Sequence, residues 1–148
     1  MLKGENTHLS NRDGLKQLGD VLKNQMPLDL VIIFLGTNDA QYGVNKTAAE
    51  IADSLDDYFE VIDSICKKLS ASKPRVLIVS PPKIREQFLK GETEAIFVNS
   101  ASLIDELPKP YKQKAVAHNA HFFDASKVAE GSPEDGVHLD ADALGHDR

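Results

Sequence analysis

The stretch Leu28 to Asp39, LDLVIIFLGTND, constrains this chain most, because an apolar strand runs straight into a turn of polar groups. Between Leu30 and Leu35 no polar residue alternates with the apolar ones. Such a strand reads as covered on both faces, like a central strand of a parallel, helix-flanked sheet. Gly36 ends it. In an open α/β sheet, ligands bind in the crevice outside the carboxyl ends of the strands, so Gly36, Thr37, Asn38 and Asp39 stand where chemistry is expected. These residue types are also ordinary turn formers, and the tetrad alone fixes no activity.

The segments around this strand repeat the pattern. Leu15, Leu18, Val21, Leu22 and Met26 fall at helical spacing, which predicts a helix over about Gly14 to Gln25, stopped by Pro27. After a loop from Thr37 to Lys46, Thr47 and Glu50 form the signature of a capping box. Ile51, Leu55, Phe59, Ile62, Ile65 and Leu69 then mark the apolar face of a long helix ending near Ser70. Asp53, Asp56, Asp57, Glu60 and Asp63 read as its solvated side. A second apolar strand is expected over Arg75 to Val79, broken by Ser80-Pro81-Pro82.

Beyond Lys83 the pattern weakens. A loop to about Glu92 precedes a helix with Ile96, Phe97, Leu103 and Ile104 on its apolar side, interrupted by Pro108 and Pro110. Pro110 suits the first turn of a further helix to Asn119. His121, Phe122 and Phe123 form a short strand that Asp124 ends, and another helix is expected to start near Asp140. Three strands alternating with helices predict a parallel sheet built from βαβ units. The expected architecture is a single α/β domain spanning 1–148.

Composition narrows the function classes. With 17 Lys+Arg against 23 Asp+Glu the formal charge is −6, and the basic residues form no stripe with aromatics between them. That disfavours a nucleic-acid partner and suits small organic ligands. The single cysteine, Cys66, falls among apolar helix positions and reads as a small buried hydrophobe. The opening residues lack the apolar core of a signal peptide, and no apolar run is long enough to span a bilayer. The expectation is a soluble protein, and a cytoplasmic one if Met1 is the true start.

A second motif lies far downstream. Asp135-Gly136-Val137-His138 sets an aspartate and a histidine three apart in a loop that follows a strand. Glycine permits a turn sharp enough to bring the carboxylate back to the imidazole, so Asp135 could orient His138 as a general base.

Combined with G-T-N-D at the end of an apolar strand, this block resembles the SGNH, or GDSL-type, hydrolase family. MPLDLVIIFLGTND, PRVLIVSPP and HFFDAS followed by DGVH resemble its arylesterase and acyltransferase branch, in that order. The resemblance implies a three-layer α/β/α fold with a doubly wound, flavodoxin-like parallel sheet. It also implies an oxyanion-hole Asn38, the triad residues Asp135 and His138, a supporting loop of Gly36, Thr37 and Asp39, and a small ester substrate. No metal or cofactor is implied.

The sequence departs from the family at its start. The family's nucleophile lies in an N-terminal G-D-S block on the first strand, and this sequence contains no such block. Ser10, Ser54, Ser64, Ser80 and Ser126 all lack the expected surroundings, and Gly4 is a weak match for a second oxyanion donor. The expectation is therefore a domain lacking its first strand, truncated at the N-terminus, with little activity of its own. An uncovered edge at Leu30 to Leu35 would then favour self-association. Two other readings stay open: a metal-dependent phosphoesterase using Asp39, Asp135 and His138, and a non-catalytic α/β binding module. His8, His118, His121 and His146 read as surface or structural.

Overall fold

The computed structural model describes residues 11–139. Helix α1, Asn11–Gln25, begins three residues before the predicted start. Leu22 is fully buried, and Leu15, Leu18 and Met26 pack against the core. Val21 departs from the predicted apolar face, being 50% exposed. Among the described elements α2 is the main neighbour of α1, and packing on one side buries only a stripe.

Strand β1, Leu30–Phe34, stops one residue earlier than predicted and lies at the edge of a three-stranded sheet of order β1-β2-β3. Its partners β2, Arg75–Ser80, and β3, His121–Asp124, are both parallel. The fold is thus α/β with a parallel sheet, as predicted. Among the described residues β1 is not covered on both faces, and its outer edge is open, in line with the expected uncovered edge at Leu30 to Leu35. Ile33 is buried, whereas Leu30, Ile32 and Phe34 are about half exposed. In-register partners share a face, so Phe34, Val79 and Phe123 lie on one side, opposite Ile33, Ile78 and Phe122. An apolar sequence without alternation permits burial on both faces but cannot supply the second cover. Among the described residues, no strand pairs with the outer edge of β1.

Helix α2, Ala48–Leu69, starts at the predicted capping box, where the Glu50 amide donates to Thr47 Oγ1 (3.1 Å) and the Thr47 amide to Glu50 Oε1 (3.0 Å). Ile51, Leu55, Phe59, Ile62, Ile65 and Cys66 are buried, but Leu69, in the last turn, is 43% exposed. Asp53, Asp57, Glu60 and Asp63 are solvated as predicted. Asp56 is the one partly buried member, although Asp53 also pairs with Lys114 and Asp63 with Lys73, each at 3.0 Å. Asp56 Oδ2 takes Lys114 Nζ at 2.7 Å and its Oδ1 lies 2.8 Å from His118 Nε2. The His118 ring also stacks on Phe59, 4.0 Å between centroids. This cluster joins α2 to helix α5, Pro108–Ala117, which packs on β2 and β3.

The single helix predicted before Pro108 is two short ones, α3, Gly91–Phe97, and α4, Ala101–Asp105. Asn99, with φ of 62°, turns left-handed between them, and the Ser100 hydroxyl donates to Ala40 O at 2.6 Å. Helix α5 begins at Pro108, two residues before the predicted Pro110, since neither proline needs an amide hydrogen in a first turn. The predicted helix start near Asp140 lies outside the described residues.

Gly36 and Tyr111 lock the end of β1. The buried Tyr111 hydroxyl donates to Leu35 O at 2.9 Å. Gly36, at φ +131°, has no room for a Cβ against that hydroxyl. Tyr111→Phe is expected to cost about 1 kcal/mol by leaving a carbonyl unpaired, measured by urea unfolding. A second expectation concerns acid. Burial pushes the Asp56 carboxyl up, but its bonds from Lys114 and His118 outweigh this and hold it below the ordinary range. A carboxyl depressed in the folded state contributes stability above its ordinary pKa, and that stability is lost as pH falls through the folded value. Asp56→Asn should therefore flatten the acid limb of thermal melts collected between about pH 2 and pH 7.

Candidate active site

Parallel pairing sends the carboxyl ends of all three strands to one edge. From β1 the chain passes through Gly36 and Thr37 into a single 3-10 turn, Asn38–Ala40. The Ala40 amide donates to Thr37 O (3.1 Å), and the turn is braced by Ser100 on Ala40 O and by the Tyr42 amide on Ile96 O (2.6 Å). The Asn38 side chain lies at the surface, with Oδ1 accepting from Gln41 Nε2 at 3.3 Å. Asp39 faces Lys46 Nζ at 3.7 Å. Burial pushes its carboxyl up, and the Lys46 charge only partly offsets that.

The loop after β3 builds the other half. Asp135 Oδ2 lies 2.6 Å from His138 Nδ1, and its Oδ1 accepts the amides of Val137 and His138, each at 2.9 Å. Gly136, at φ +79°, makes this turn possible, and a Cβ there would strike the Arg85 carbonyl. Burial pushes the Asp135 carboxyl up, but the His138 imidazole and the two amides outweigh it and hold it below the ordinary range. An ionised carboxylate at Nδ1 favours the proton on that nitrogen, so the neutral ring would carry its lone pair on Nε2. The His138 side chain is 78% exposed.

The segment after β2 holds this loop in place. The Lys83 amide donates to Ala129 O (3.3 Å), the Gly131 amide to Lys83 O (2.7 Å) and the Arg85 amide to Gly136 O (2.9 Å). Thr93 Oγ1 donates to Asp135 O at 2.9 Å. Neither Thr93 nor Gln41 was singled out by sequence, because each acts through a partner that only the folded chain reveals.

Asp135 and His138 are thus in direct contact, and the Asn38 turn leaves from the same sheet edge. Among the described residues no hydrogen bond joins the two halves. Gly4 lies outside the described residues, as do Ser10, His8 and His146. Ser80 is fully buried and donates to Asp124 Oδ1 (3.2 Å), the acceptor also of Ser126 Oγ (2.6 Å). Ser54 and Ser64 lie on α2. Among the described residues, no serine hydroxyl is hydrogen-bonded to His138. The metal reading needs Asp39 beside Asp135 and His138, and no group of three or more His, Cys, Asp or Glu side chains converges among the described residues. No helix among them is long and apolar enough to cross a membrane.

Solved structures extend the comparison. The carbohydrate acetylesterase Est24 from Sinorhizobium meliloti is 30% identical, with a TM-score of 0.76, over 88% of this chain and 61% of that one. The aryl esterase of M. smegmatis is 29% identical, with a TM-score of 0.77, over the same shares of each chain. The chain therefore spans about three-fifths of the length of these structures. No curated protein sequence matches. The profile of the GDSL-like Lipase/Acylhydrolase family matches residues 2–146, and the chain belongs to that family.

Proposed function

We propose that this chain carries the acid-base pair and one oxyanion donor of a serine esterase acting on small carboxylic esters. The observation that supports this reading is the 2.6 Å contact between Asp135 Oδ2 and His138 Nδ1, made within a loop whose backbone is held by the segment after β2. In this reading His138 Nε2 takes the proton of a serine hydroxyl as that oxygen attacks the ester carbonyl. Asp135 fixes the tautomer and stabilises the imidazolium, which then returns the proton to the leaving alcohol. The Asn38 amide donates to the oxyanion of the tetrahedral intermediate. Water repeats the sequence on the acyl-enzyme and frees the acid.

The nucleophile belongs to a Gly-Asp-Ser strand, and the chain by itself is expected to turn over esters negligibly. The test is hydrolysis of a short chromogenic aryl ester by this chain and by a version extended upstream with that strand. The extended version should be active without added metal. Within it, Asp135→Asn should lower kcat by about 10⁴-fold and Asn38→Ala by about 10²- to 10³-fold. Turnover dependent on an added divalent ion would favour the metal reading, and inactivity of a folded extended version would leave a binding module.

The reading extends to assembly, with a second copy pairing along the open edge of β1. Leu30 to Phe34 contains no charge and no proline, the features that protect natural edges. Antiparallel pairing of β1 with itself would also bring the half-exposed Leu30, Ile32 and Phe34 of two copies together. Sedimentation velocity over a range of concentrations should show reversible self-association. Ile32→Lys, at a position 56% exposed, should abolish it without unfolding the chain. A monomer at every concentration, with the β1 amides protected from exchange, would remove the proposal.

A further inference from the structure

A primary amide has a donor end and an acceptor end, and its terminal torsion is broad and roughly two-fold. An oxyanion donor works only when the NH2 end faces the crevice. What decides the orientation of Asn38 is therefore a chemical question. Gln41 stands three residues on, at the end of the same 3-10 turn, and is only 5% exposed. Its Nε2 donates to Asn38 Oδ1 at 3.3 Å, while its Oε1 is buried with no hydrogen-bond partner among the described residues.

The Gln41 backbone is held on both sides. Its amide donates to Asn38 O (3.3 Å) and its carbonyl accepts from Val44 (3.1 Å), while flanking Ala40 and Tyr42 are bonded to Ser100 and Ile96. A buried amide with half its polar atoms unpaired is costly, and a leucine or methionine would fill the same space without that cost. The one side-chain hydrogen bond Gln41 makes among the described residues goes to Asn38.

We infer that Gln41 is a positioning residue whose Nε2 fixes the Asn38 amide with Oδ1 inward and Nδ2 toward the crevice. This rests on the reading of Asn38 as the oxyanion donor. Turning Asn38 over would set two NH2 groups against each other unless Gln41 turned with it, and that would leave the buried Nε2, with its two hydrogens, unpaired in place of one amide oxygen.

The test uses two variants. Gln41→Met keeps the length and removes the donor. Gln41→Glu offers acceptors only and would draw Asn38 Nδ2 inward. In this chain, 15N relaxation of the Asn38 side-chain amide should report a rigid group in the native protein and a mobile one in Gln41→Met, with the backbone spectrum otherwise retained. In the version extended by a Gly-Asp-Ser strand, Gln41→Met should lower kcat about tenfold with KM within about twofold. Gln41→Glu should lower kcat as far as Asn38→Ala does, and neither change should add to the loss caused by Asn38→Ala. An Asn38 amide that stays equally rigid in both folded variants would overturn the inference. If Asn38→Ala leaves turnover unchanged, the oxyanion role fails, and the relaxation data still decide whether Gln41 holds the amide.

Discussion

The parallel pairing of β1 with β2, Leu30 opposite Arg75 through Phe34 opposite Val79, is the constraint on which the rest depends. Because β3 also runs parallel to β2, every strand delivers its carboxyl end to the same edge. The three segments that leave there are short of partners and must find one another. The segment after β2 is the intermediary, giving the Lys83 and Arg85 backbone and the Thr93 hydroxyl to the loop that follows β3. A sheet of mixed direction would send one of these segments to the far end and take the loop apart.

The two halves of the candidate site are held by different means. Asp135 and His138 sit in a loop whose own turn supplies two amides to the carboxylate, so the charge beside the imidazole is stabilised locally. The Asn38 turn depends on elements far along the chain, since Ser100, Ile96 and Tyr111 all bond to its backbone or to the strand end before it. Changes in α4 or α5 would consequently reach Asn38 before they reach His138, whereas α3 touches both halves, through Ile96 and Thr93. On the other side of the sheet, Phe34 and Phe123 flank the buried Val79 and remain about half exposed. The described residues thus cover one face of the sheet more fully than the other.

Local sequence determined most of the elements and both halves of the site. The capping box at Thr47 and Glu50, the apolar spacing of α2 and the three β-runs act over a few residues, so they are legible without the fold. The Asp135 to His138 spacing is equally local, because one glycine turn suffices to bring the two side chains together. Tertiary structure decided what depends on neighbours. An uninterrupted apolar run in β1 says that both faces tolerate burial, but whether they are buried depends on what packs there, and Ile32 and Phe34 are half open. The Asp56 carboxylate looks like its solvated neighbours in sequence, and only the fold brings both Lys114 and His118, at the end of α5, against it. Asn99 splits a predicted helix because Ser100 is engaged by Ala40 across the fold. Gln41 and Thr93 likewise gain their contacts to Asn38 and Asp135 only once the turns have closed, since a hydrogen bond between side chain and distant backbone leaves no periodic trace in a sequence.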